Sequence, residues 1–109
     1  MKIITRAEFD HEVLASKQPV LVDFYTDGCP PCKALAPVLQ EWEQEAANSL
    51  NIVKVDAAAE QELAVSYGVT AVPALFLFSN GKVVSHTVGF KSKNALKQWA
   101  ENALRSVSA

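Results

Sequence analysis

Hydrophobic positions along this chain recur with two different periods, and the switches between them divide it into elements. Thr5-Arg6-Ala7-Glu8 has the form of a capping box, after which Phe9, Val13 and Leu14 set an apolar face on a first helix. Pro19 opens Val20-Leu21-Val22-Asp23-Phe24-Tyr25, a run that reads as a strand buried on both faces. Past Cys29 the spacing turns helical, with Leu35, Val38, Leu39, Trp42 and Ala46 on one stripe and Pro37 predicting a kink within it. Ile52-Val53-Lys54-Val55 is a second core strand, and a short helix over residues 60–67 follows, ended by Gly68. Residues 74–78 and 82–88 flank Ser79-Asn80-Gly81, and Asn-Gly between two apolar runs predicts a hairpin. A last helix, capped by Ser92, carries Leu96, Trp99, Ala100, Ala103 and Leu104 on one face. The order reads β-α-β-α-β-α-β-β-α. That order predicts an α/β fold: a central mixed sheet, its parallel strands joined by an antiparallel C-terminal hairpin, with helices on both faces.

At 109 residues the chain is long enough for one domain, 1–109, and too short for two. Half of the residues are hydrophobic and 20% are charged, ordinary globular composition. A net charge of -2 with both signs interspersed argues against nucleic acid or an anionic membrane as the main partner. Met1-Lys2-Ile3-Ile4-Thr5-Arg6 lacks the apolar core and cleavage site of a secretory signal. No apolar run approaches the roughly 20 residues needed to span a bilayer. A soluble, cytoplasmic monomer is expected, unless a leader was removed.

The two cysteines, Cys29 and Cys32, close too small a loop to constrain an unfolded chain much, so they read as chemistry rather than scaffolding. They lie between the buried strand and the long helix, where an open α/β sheet collects its reaction sites. Cys29 falls at the helix start, with Pro30 suited to the first helical position, and the helix dipole favours a thiolate there. One turn returns the Cys32 sulfur beneath Cys29. Cys29 is therefore expected to be the exposed nucleophile and Cys32 the shielded second attacker. A C-x-x-C pair alone also fits half of a zinc site, a labile surface pair or two inert thiols. Zinc would need about four ligands, and the remaining candidates, His11 and His86, fall on a helix and a hairpin strand.

Further markers stand in register with this pair: Val22-Asp23-Phe24-Tyr25, Cys29-Pro30-Pro31-Cys32-Lys33, Ala36-Pro37, Tyr67-Gly68-Val69, Val72-Pro73, Asn80-Gly81 and Val88-Gly89. In order and spacing, over essentially the whole chain, they resemble the thioredoxin family. The resemblance implies a thioredoxin fold and a thiol–disulfide oxidoreductase that reduces protein disulfides. It implies no bound cofactor beyond a redox-active Cys29–Cys32 disulfide, and no metal. Disulfide-containing proteins are the implied substrates, with a flavin-dependent NADPH thioredoxin reductase as electron donor. Asp23 matches the family's buried acid, which relays a proton to or from the resolving cysteine. Burial mid-strand would independently raise its pKa, whereas a strand-end or bulge position would let it reach water. Lys54 matches the lysine near that acid, or is a solvated lysine on a half-exposed strand. Pro73 matches a cis proline facing the disulfide, with the Val72 backbone pairing to an extended substrate segment. Gly89 matches a glycine that lets the partner's backbone approach, or is simply a turn. Trp42 and Trp99 read as core.

The family usually has Trp-Cys-Gly-Pro-Cys where this chain has Gly28-Cys29-Pro30-Pro31-Cys32. Gly28 removes a large apolar surface beside the nucleophile and so alters the docking face to which Pro30 and Pro31 also belong. Pro30 removes one backbone N–H near the Cys29 sulfur and stiffens the loop. Tyr25 and Ala74 stand where the family often has Trp and Thr, milder changes. Beside a general reductase, these departures motivate a specialised or more oxidising exchanger with few partners. A binding subunit with incidental thiols is the third alternative.

Overall fold

The computed structural model describes residues 1–108. Thr5 begins the first helix as the capping box predicts, its N–H donating to the Glu8 carboxylate at 3.1 Å. Helix α1 (Arg6–Phe9) runs into a π-helical turn over Asp10–Leu14, a widening that the apolar spacing did not signal. The strands are β1 (Lys2–Ile3), β2 (Val20–Tyr25), β3 (Asn51–Asp56), β4 (Ala74–Ser79) and β5 (Lys82–Val88). Between them stand α2 (Pro30–Glu45) and α3 (Gln61–Ser66), and α4 (Lys93–Ser108) closes the order. It is the order read from the sequence. No helix among the described residues is long and apolar enough to cross a membrane.

The sheet runs β1-β3-β2-β4-β5, with β1, β3 and β2 parallel and β4 and β5 antiparallel. Alternation along β2 decides what each face buries. Val20, Val22 and Phe24 point with Val53, Val55, Phe76 and Phe78 into a core shared with Phe9, Val13, Leu63 and Ala64 of α1, the π turn and α3. Leu21 points the other way, with Ile52, Leu75 and Leu77, against Leu35, Leu39 and Trp42 of α2 and Leu96 and Ala100 of α4. Full burial of one such aliphatic side chain contributes about 1.5–3 kcal/mol, so both faces are strongly specified and β2 cannot slip by one residue.

Asn80 and Gly81 turn the β4–β5 hairpin with φ of 53° and 78°, the left-handed pair a two-residue turn needs. Gly81 is fixed twice over, because a Cβ there would sit 2.8 Å from the Leu14 carbonyl oxygen. A bulge between Leu77 and Phe78 shifts the register within the hairpin. Helix α2 continues unbroken through Pro37. Ser92 caps α4, its Oγ accepting from the Ala95 N–H at 3.2 Å. Trp42 is buried against α4, while Trp99 packs on the same core and donates from its indole to Ser85 Oγ at 2.9 Å, as core residues rather than surface ones.

Candidate active site

Strand β2 ends at Tyr25, and three residues of loop carry the chain to Cys29, the N-cap of α2. With φ -109° and ψ 104°, Cys29 is still extended, and its sulfur turns back over the first helical turn. Pro30 and Pro31 occupy the first two helical positions and carry no N–H. The Lys33 N–H is taken by the Cys29 carbonyl at 3.1 Å. The Cys32 N–H is left to donate to Cys29 Sγ, at 3.2 Å. One donor and the positive end of a 16-residue helix thus converge on the sulfur, conditions that favour a thiolate.

Cys29 and Cys32 are joined as a disulfide, their Cα atoms 5.2 Å apart. The expected contrast in exposure is slight: Cys29 is 7% exposed and Cys32 5%. In the disulfide each sulfur covers the other, and Cys29 Sγ also lies 3.7 Å from the Val72 carbonyl oxygen. Position in the helix distinguishes the two cysteines here; accessible area does not.

Val72 and Pro73 are joined by a cis peptide bond immediately before β4. The Gly89 N–H donates to the Pro73 carbonyl at 2.8 Å, which fastens the end of β5 to this corner. Gly89 has φ +94° and open space around a would-be Cβ, the Lys91 ammonium being nearest at 3.9 Å. Val72 is half-buried, Pro73 buried, and Pro30 and Pro31 exposed. Val88 and Phe90, either side of Gly89, are each 48% exposed, which adds apolar surface that the sequence reading did not name. Gly28 is exposed and a Cβ on it would meet nothing within 4 Å, so no backbone geometry requires glycine there.

Asp23 lies inside β2, 1% exposed, paired with Lys54 on β3 and Leu75 on β4. It is not a strand-end or bulge residue. Alternation places it with Leu21 and Leu75 on the face that α2 covers, the helix that carries Cys32. Among the described residues its Oδ1 has no hydrogen-bond partner. Burial pushes its pKa up to about 6, while the positive charge of Lys54 pulls the other way. Lys54 is half-buried, its ammonium 4.2 Å from the centre of the Tyr25 ring. That aromatic contact was not foreseen. The register that brings Asp23, Tyr25 and Lys54 together exists only once β2 and β3 pair.

His11 is exposed on the π turn and His86 stacks on Phe76 with ring centres 5.2 Å apart. Among the described residues, no group of three or more His, Cys, Asp or Glu side chains could hold a metal ion.

The thioredoxin family model matches residues 1–102. The thioredoxin of Bacillus subtilis (strain 168) is 42% identical over 98 residues, 90% of this chain and 94% of its own. Thioredoxin C-2 of Corynebacterium nephridii is 44% identical over 92 residues, 84% of this chain and 85% of its own. The bifunctional thioredoxin reductase/thioredoxin of Mycobacterium leprae (strain TN) is 43% identical over 93 residues, 85% of this chain and 20% of its own. At this identity and coverage the chain belongs to the thioredoxin family, and the Cys29–Cys32 pair makes it a thiol–disulfide oxidoreductase.

Proposed function

We propose that the chain reduces protein disulfides in the cytoplasm as a monomer, with Cys-Pro-Pro-Cys as its active-site motif. The Cys29 thiolate attacks one sulfur of the partner's disulfide. That bond breaks, a mixed disulfide forms, and the partner's other sulfur leaves as a thiolate and takes up a proton. Cys32 then gives its proton to the Asp23 carboxylate and attacks Cys29 Sγ. The mixed disulfide breaks, the partner's second sulfur departs and is protonated, and the Cys29–Cys32 disulfide closes. Two electrons have passed from the chain to the partner.

The observation that carries this reading is the disulfide across the first turn of α2, with the Cys32 N–H directed at Cys29 Sγ. Asp23 suits the proton relay because its pKa of about 6 lets it hold either state near neutrality, and Lys54 opposite it lowers the cost of the charged state. Val72, Pro73 and Gly89 form the edge along which an extended substrate segment pairs, and Gly28, Pro30 and Pro31 form the facing rim. A thioredoxin reductase using NADPH and flavin restores the dithiol. The Mycobacterium leprae relative, whose name joins a thioredoxin reductase to a thioredoxin, supports a reductase of that kind as donor.

A second reading, a specialised or more oxidising exchanger, draws on the two prolines that leave a single amide on the sulfur and on the bare surface at Gly28. The test is the equilibrium of the Cys29–Cys32 disulfide against a thioredoxin redox buffer, followed by insulin reduction with and without thioredoxin reductase. A reducing potential with reductase-driven turnover is the expected result. A clearly oxidising potential, or turnover only with a chemical dithiol, favours the specialised exchanger. Function retained in Cys29→Ser would point to a binding subunit instead.

A further inference from the structure

We propose that Tyr25 is a positioning residue for this exchange, its ring face holding the Lys54 ammonium within electrostatic reach of Asp23. The inference rests on the reading of Asp23 as proton relay and names a side chain that controls it. Asp23 and Tyr25 are two apart on β2 and so share a face, and Lys54 stands directly opposite Asp23 on β3. Yet the ammonium sits over the Tyr25 ring, 4.2 Å from its centre, and Asp23 Oδ1 has no hydrogen-bond partner. The lysine therefore acts on the acid through space, from a seat that the ring provides.

The described core residues on the Asp23 face give an ammonium no seat: β4 presents Leu75 opposite it, α4 contributes Leu96 and Ala100, and α2 contributes Leu35 and Leu39, all apolar. Asp27 in the loop and Asp56 on β3 act on Tyr25 itself. After burial, they and Asp23 push the phenol above its ordinary value, so the ring stays neutral and its face electron-rich. With the ring removed, a half-buried lysine turns its ammonium toward water. Asp23 then loses the one charge that favours its ionised form.

The experiment is an NMR titration of the Asp23 carboxyl in the oxidised protein. Tyr25→Leu is expected to raise its pKa by about half a unit, through the attraction of the Lys54 charge that is lost when the ammonium moves away. Tyr25→Phe, which keeps the ring, is expected to leave it unchanged. Lys54→Met is expected to raise it too, and Tyr25→Leu added to Lys54→Met to raise it no further. An unmoved or lowered Asp23 pKa in Tyr25→Leu, or two shifts that simply add, would overturn the tether. Resolution of a preformed mixed disulfide in Asp23→Asn tests the underlying reading separately. An unchanged rate there removes the relay, whatever the titrations give.

Discussion

An acid enclosed like Asp23, at 1% exposure and with Oδ1 unbonded, is neutral in the folded protein until about pH 6, whereas its ordinary value is 3.8. The folded state therefore binds the proton more tightly than the unfolded state. The stability this confers is present below the lower value, declines as pH rises, and is gone above the upper one. The separation of the two values corresponds to about 3 kcal/mol as an order of magnitude. In Asp23→Asn that dependence disappears. Urea denaturation of both oxidised proteins at a series of pH values is expected to show the variant gaining on the parent by about 3 kcal/mol from acid to neutral pH. A stability difference that stays flat with pH would mean that Asp23 is ionised at little cost, and with that the case for a poised relay would fall. If the relay holds, function and stability pull in opposite directions at this residue.

Among elements, α2 and α4 carry the site and its support. Lys93 of α4 donates to both Glu41 and Glu45 of α2, and Lys97 donates to Glu45 at 2.8 Å. These hydrogen bonds hold the Glu45 carboxyl at about 2, below its ordinary 4.5, so Glu45 stays ionised through the neutral range and its ion pairs weaken as pH falls through that window. The groups are largely exposed, and screening limits what they contribute. Lys93→Met is expected to lower the melting temperature by a few degrees in dilute buffer and by less in molar salt; a deficit indifferent to salt would assign the loss to packing of the lysine stem. How much of these elements was legible depended on range. The continuous apolar run of β2, the Thr5 box and Asn80-Gly81 act through immediate neighbours, and each formed where the sequence placed it. The π turn at Asp10–Leu14 and the bulge at Leu77/Phe78 each break a local period, and an apolar spacing read at a fixed period does not mark such a break. The cysteines are legible from their place between a buried strand and a helix start, and Asp23 from its position in an apolar strand as well as from resemblance, whereas the Val72–Pro73 corner rests on resemblance alone. The seat of Lys54 on Tyr25 and the near-equal enclosure of the two sulfurs follow from strand pairing and from the disulfide itself, and had no local signal.

For the whole molecule, the open question is how partners find a sulfur that is only 7% exposed. Exchange requires the partner's disulfide to come to Cys29 along a fixed line, so the surface around it must hold the partner before any bond changes. On the proposed reading that surface takes in Val72, the two prolines and the exposed Val88 and Phe90, with a gap at Gly28 where the resemblance puts a large aromatic. On that reading the gap bears on docking rather than folding, because a Cβ at position 28 meets nothing within 4 Å among the described residues and the backbone there is not in the left-handed region. It also leaves the Cys32 N–H and the helix end at the sulfur, and the buried Asp23 proposed as relay, untouched. Gly28→Trp is therefore expected to leave the reduction potential and the denaturation midpoint where they are. The same change is expected to lower KM for a thioredoxin reductase severalfold, with kcat less affected. Steady-state kinetics with the reductase, beside a redox equilibrium on the same preparation, separates the two effects. A shifted potential would show that position 28 acts on the thiolate itself. An unchanged KM would show that the reductase reads the Val72–Phe90 side of the site, and the bare rim at Gly28 would then have no part in choosing partners.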